Sequence, residues 1–166
     1  IEMMGATVPY RRDSEIYVEN ETAEYLYKVI SGAVRTYKIL TDERSTIGSF
    51  CLPGAIFGLE VDDIHTFSAE AITNCKILVI KRSALVSLAG RDIAVARRLW
   101  TLPANELQRA QEHILLLIKT AQERVVGFLI EMSARSADAT EVELPMSRQD
   151  IADYLGLTIE TVSRTL

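Results

Sequence analysis

The segment 147–166 restricts the fold of this chain more than any other, because its apolar positions and single glycine fit two short helices meeting at a tight corner. Ile151, Ala152 and Leu155 fall on one face of a first helix, with the small Ala152 where two helices would cross closely. Gly156 stands where the chain must turn, a position suited to positive φ. Leu157, Ile159 and Val162 supply the apolar underside of a second helix. Ser147 is placed to cap the first helix, with Asp150 complementing its N-terminus, and Thr158 is placed to cap the second. This leaves Glu160, Ser163 and Arg164 pointing outward. An outward Arg and Glu one turn apart suit a guanine edge and a cytosine amino group in a major groove. The expected partner is double-stranded DNA, with Ser147, Arg148, Thr158 and Thr161 toward the phosphates. A generic helix pair with a solvated polar face is the plainer alternative. The chain starts at Ile1 rather than Met and stops inside the second helix, so a piece of a longer protein is expected.

Charge opposes this reading mildly. The net charge is −5, and from Ser147 onward Arg148 and Arg164 face Asp150, Asp153 and Glu160. Phosphate neutralisation by Lys and Arg dominates non-specific affinity, so two copies on one duplex, helix N-termini and hydroxyls would have to help. The chain of 166 residues, 48% hydrophobic and 25% charged, has the balance of a soluble globular protein. No stretch approaches the roughly 20 apolar residues that span a bilayer, so no membrane partner is expected. Cys51 and Cys75 read as buried thiols of a reducing cytoplasm, a bridge between them being the alternative.

Before residue 90 the pattern is that of a small β-barrel or roll. Runs at 25–30, 33–40, 46–52, 56–58, 67–72 and 76–80 are separated by turn signals such as Ser31-Gly32, Pro53-Gly54 and Thr73-Asn74. From Ser83 the period turns helical. A short helix is expected over 83–89, ended by Gly90, and another over 92–102, stopped or kinked by Pro103. A long helix is expected over 105–133. Leu107, Ala110, Ile114, Leu117 and Ala121 form a 3-4 seam on it, while Leu115, Leu116 and Ile118 add apolar surface elsewhere. Such a helix needs cover on two sides, and a second copy of the chain is the expected cover on one of them. A monomer's core helix is the alternative.

Catalysis and metal binding have little support. His65 and His113 are the only histidines, too few for a metal-binding cupin-type barrel. No Ser, Cys or Lys has a nucleophile's setting, so neither enzymatic activity nor a cofactor is expected. Gly32, Gly54 and Gly58 read as tight turns. A phosphate cradle near them would want an Arg, and 57–71 contains none.

The chain resembles the CRP/FNR family of bacterial transcription regulators, in particular its FixK-like members, along essentially its whole length. The resemblance rests on Tyr27-Lys28-Val29-Ile30-Ser31-Gly32-Ala33-Val34-Arg35-Thr36-Tyr37, on Leu52-Pro53-Gly54-Ala55-Ile56-Phe57-Gly58 and on Glu123-Arg124-Val125-Val126-Gly127-Phe128-Leu129. Its most specific part is the stretch from Leu144 to Arg164. The fold it implies is α+β: an N-terminal β-roll of the cyclic-nucleotide-binding jelly-roll kind, a long dimerisation helix and a C-terminal winged helix-turn-helix, incomplete here. The corresponding spans are 1–103, 104–133 and 134–166. The resemblance implies a homodimeric activator that reads a palindrome of TTGA-like half-sites, with Arg164 on the guanine and Glu160 and Ser163 on neighbouring bases. It also implies contact with RNA polymerase and control of microaerobic respiration and nitrogen-fixation genes. The Arg-Ser or Arg-Thr pair that holds cyclic AMP is missing, as is the cysteine cluster that binds an iron–sulfur cluster. A regulator gated by another small molecule in the β-roll is the alternative.

Overall fold

The computed structural model describes residues 5–135 and 143–166. Among the described residues, eight strands form two four-stranded antiparallel sheets: β1 (Gly5–Tyr10), β2 (Glu15–Tyr17), β3 (Tyr25–Ser31), β4 (Val34–Ile39), β5 (Ser45–Cys51), β6 (Ile56–Phe57), β7 (Ser68–Ala71) and β8 (Cys75–Lys81). One sheet runs β1-β8-β3-β6 and the other β2-β7-β4-β5. Tyr17, Tyr27, Val29, Val34, Phe57, Ala69, Ala71 and Ile77 form the buried core they share. The β-rich runs between turn signals predict β3 to β8 closely. β1 and β2 are additions. Gly5 and Pro9 weaken the strand signal of β1, and an edge position, which β1 occupies, is where a sheet tolerates proline. Gly32, Gly54 and Gly58 all take positive φ, as turns require.

Five helices follow among the described residues. α1 (Arg82–Ala89) ends at Gly90, and α2 (Ile93–Leu117) starts at Asp92, whose carboxylate accepts from the amides of Ala94 and Val95 at 2.8 and 3.4 Å. Pro103 lies inside α2, which continues past it. The single helix expected over 105–133, and over the implied span 104–133, is broken, because α2 ends at Leu117 and α3 spans Ala121–Arg135. The cause is local chemistry: Thr120 and Glu123 make a reciprocal cap. The Glu123 carboxylate accepts from the Thr120 amide at 3.0 Å and hydroxyl at 2.6 Å, and the Glu123 amide donates to the Thr120 hydroxyl at 3.4 Å. Ala121, expected on the seam of Leu107, Ala110, Ile114 and Leu117, therefore opens α3 beyond the break. The two helices approach closely at Gly127, where a Cβ would lie 2.5 Å from Leu116 Cδ1.

α4 (Arg148–Leu155) and α5 (Ile159–Thr165) complete the fold. They share one core with α3 and with the β2-β7-β4-β5 sheet: Phe128, Ile151, Leu155 and Val162 are buried together with Ile47, Phe50 and Ile72. Phe50 of β5 packs edge-on to Phe128 at 6.1 Å and against Tyr154 of α4 at 5.1 Å. Each such large side chain contributes about 1.5–3 kcal/mol on full burial. The helix pair is thereby seated on the sheet as well as on α3.

Candidate nucleic-acid interface

The corner between α4 and α5 forms as its residues dictate. Ser147 caps α4: its hydroxyl accepts from the Asp150 amide at 3.1 Å, and the Asp150 carboxylate accepts from the Ser147 amide at 2.9 Å and hydroxyl at 2.7 Å. Gly156 takes φ 61° and ψ 41°, the left-handed conformation that a side chain would penalise. The Leu157 amide donates to the Ala152 carbonyl at 2.9 Å, closing the corner. Thr158 then caps α5, its hydroxyl accepting from the Thr161 amide at 3.3 Å. Ile151, Ala152, Leu155 and Val162 are almost fully inaccessible to solvent, so the opposite face of α5 must point outward.

Glu160, Ser163 and Arg164 occupy that face and are exposed together. The Glu160 carboxyl is held below its usual range, first by its own backbone amide, then by the Thr158 hydroxyl, with the charge of Arg164 adding to the effect. It is an anion at neutral pH and can accept only. Arg164 can donate only. The set offers one acceptor, one donor fork and a hydroxyl able to do either.

Of the residues expected at phosphates, Ser147, Arg148 and Thr158 are exposed, and Thr161 is half-buried. The hydroxyls of Ser147 and Thr158 already serve as caps, and that of Thr158 lies 3.1 Å from the Thr161 hydroxyl. On α2, Leu107 and Ile114 are each 61% exposed and Ala110 is also exposed, while Leu117 is half-buried.

Two arginines outside the helix pair grip α4, and the sequence pattern alone does not single out either. Arg35 of β4 pairs with Asp150 at the start of α4. Arg124 of α3 donates to the carbonyls of Leu155 and Gly156, at 3.0 and 3.5 Å, at its end. His113 of α2 also stacks on Tyr154 at 4.1 Å, and burial lowers its pKa.

A cavity of about 440 Å³ lies between the strands and helices, lined in part by Tyr17, Phe50, Cys51, Phe67, His113 and Tyr154. Its two guanidinium groups are both paired, Arg109 with Glu106 at 2.6 Å and Arg135 with Glu131 at 3.1 Å. Cys51 and Cys75 are both free thiols. Among the described residues no group of three or more His, Cys, Asp or Glu could hold a metal ion, and no helix is long and apolar enough to cross a membrane.

Comparison with known proteins agrees with this architecture. Residues 144–166 match the family model of bacterial regulatory proteins of the crp family, and residues 7–92 match the cyclic nucleotide-binding domain. The nitrogen fixation regulation protein FixK of Azorhizobium caulinodans is 52% identical over 98% of this chain and 68% of its own length. FixK of Rhizobium meliloti is 41% identical over 95% of this chain and 72% of its own. The structure of FixK2 from Bradyrhizobium japonicum superposes with a TM-score of 0.93 at 54% identity, covering 97% of this chain and 82% of that one. The α+β fold expected from the sequence, a β-roll followed by helices and a helix-turn-helix, is the one found. The chain belongs to the crp family of bacterial regulatory proteins, a family of transcription regulators rather than enzymes, and within that family it is FixK-like.

Proposed function

We propose that this chain reads double-stranded DNA through α5 as part of a homodimer, activating transcription in the cytoplasm. The observation that carries the reading is the joint exposure of Glu160, Ser163 and Arg164 on a helix whose other side, at Val162, is fully buried. Arg164 would donate to a guanine, Glu160 and Ser163 would meet neighbouring bases of a TTGA-type half-site, and Ser147, Arg148, Thr158 and Thr161 would face phosphates. The FixK relatives are named for nitrogen fixation regulation, which supports genes of nitrogen fixation as targets; genes of microaerobic respiration as further targets and RNA polymerase as the further partner are what the family resemblance implies.

The homodimer has its own support. Ile93, Trp100, Leu107 and Ile114 recur every seven residues along α2 and are 75%, 79%, 61% and 61% exposed. A seven-residue apolar stripe in water is the pattern of a helix that pairs with a copy of itself. Ala110 falls between Leu107 and Ile114, and Leu117, three residues past Ile114, continues the seam. Two copies related by a two-fold axis would present two α5 helices to a palindrome about one helical turn apart.

The test is selection of preferred duplexes from a random pool, followed by Arg164→Ala. Loss of about 1–3 kcal/mol on the selected duplex, with preference relaxed at one guanine per half-site, is expected. Equal loss on selected and scrambled duplexes would remove the base-reading role.

The cavity of about 440 Å³ favours a second reading, in which a small molecule other than cyclic AMP gates the same regulator. Calorimetry with candidate metabolites separates the two, because an ungated regulator binds its operator equally well without any.

A further inference from the structure

The reading head is anchored at a point that stability alone does not explain. Arg35 donates through Nη1 to Asp150 Oδ1 and through Nη2 to Glu70 Oε1 of β7, the latter at 3.0 Å. Asp150 uses its other oxygen, Oδ2, to close the cap on Ser147. One carboxylate thus both starts α4 and ties it to the sheet. Asp150 is 5% exposed, and Arg35 Nε is buried without a hydrogen-bond partner. Burying a guanidinium with a donor unmet is costly, and an apolar pair of similar volume often serves stability as well or better. The arrangement offers direction instead. A planar fork held between carboxylates of β7 and α4 admits a narrow set of orientations. A second tie from the same sheet, Arg135 Nη2 to the Phe50 carbonyl at 2.6 Å, holds α3 in the same sense.

We propose that Arg35 is a positioning residue for DNA reading: by joining Asp150 to Glu70 it sets the orientation of α4, and so of α5, against the β-roll and α2 of its own protomer. This rests on the DNA-reading and homodimer assignments above. In a dimer the direction of each head sets the separation between the two α5 helices. Heads that swing hold the correct separation for only a fraction of the time, and apparent affinity falls by that fraction. Arg35 therefore acts on half-site spacing rather than on base identity.

The test compares Arg35→Met with the double variant Arg35→Met/Asp150→Asn, in which position 150 no longer carries an unpaired buried charge and an oxygen remains to cap Ser147. Affinity of the purified regulator is measured for a selected two-half-site duplex, the same duplex with one base pair inserted between half-sites, and a scrambled duplex. Both variants should bind the selected duplex about tenfold more weakly, the scale of a coupling between sites. Binding to the inserted and scrambled duplexes should be unchanged, so preference for correct spacing shrinks. Equal loss on all three duplexes, or full spacing preference in the double variant, overturns the proposal. If both Met variants fail to fold, Arg35→Lys, which keeps the charge but not the fork, carries the same comparison. Wild-type protein that does not prefer the selected to the scrambled duplex overturns the DNA-reading assignment itself, and the positioning role with it.

Discussion

Arg124 Nη1 donates to the Leu155 carbonyl at 3.0 Å, so a residue of α3 closes the C-terminus of α4. The same side chain reaches the Lys119 carbonyl through Nε at 2.9 Å, tying the break between α2 and α3 to the corner at Gly156. Replacing Arg124 by Met leaves these carbonyls without a charged donor. A loss of about 1–3 kcal/mol is expected, as for hydrogen bonds to charged groups. Urea unfolding measures it, and an unchanged midpoint would show that water replaces the guanidinium without cost.

The stripe on α2 makes a prediction about assembly. Leu107 and Ile114 are more than half exposed and lie two turns apart on one face. Changing both to Glu places like charges across a two-fold seam while leaving the core of each protomer untouched. Sedimentation should then report monomers at concentrations where the wild type is dimeric. Variants that remain dimers would move the interface off α2.

The legibility of this chain varies with the range of the forces involved. Strands β3 to β8 follow from β-rich runs and turn residues, and the α4–α5 corner from caps and one glycine, because each is decided within a few neighbours. β1 has no clear sequence signal, because Pro9 and Gly5 look like breakers unless the strand lies at an edge. The break at 118–120 had a signal, Thr120 followed three residues later by Glu123. It was masked by apolar residues on either side that continue a helical period. The Arg35–Asp150 pair has no local signal at all, since its members lie 115 positions apart. The three outward residues of α5 were legible because burial of Val162 leaves them only one direction.

Cys51 should be chemically quiet. It lies in the core of the β-roll, and burial pushes its thiol up to about 11, with the Ser49 hydroxyl only partly offsetting this. The thiolate is the reactive form, so little is present at pH 8. Neither Cys51 nor Cys75, both buried, should be labelled by iodoacetamide in the folded protein, and both should be labelled in urea. Rapid labelling of Cys51 under native conditions would mean that the cavity beside it opens readily.

His65 gives the fold a dependence on pH of definite sign. It is 1% exposed and stacks on Tyr17 with ring centroids 3.6 Å apart. Burial lowers its pKa and Arg82 acts the same way, against the pull of Glu60, whose carboxylate lies 3.4 Å from Nδ1, and of Glu21. Burial prevails, so the folded state favours neutral imidazole while the unfolded chain takes up its proton near the ordinary value of about 6.5. Below that value the unfolded state binds more protons, and stability falls with pH until the folded His65 also protonates. His113, lowered by burial as well, adds to the same slope. Urea unfolding between pH 8 and pH 5 should therefore show acid destabilisation, reduced but not abolished in His65→Gln, which carries no titrating proton. An identical slope in that variant would assign the acid sensitivity to His113 and the carboxylates instead.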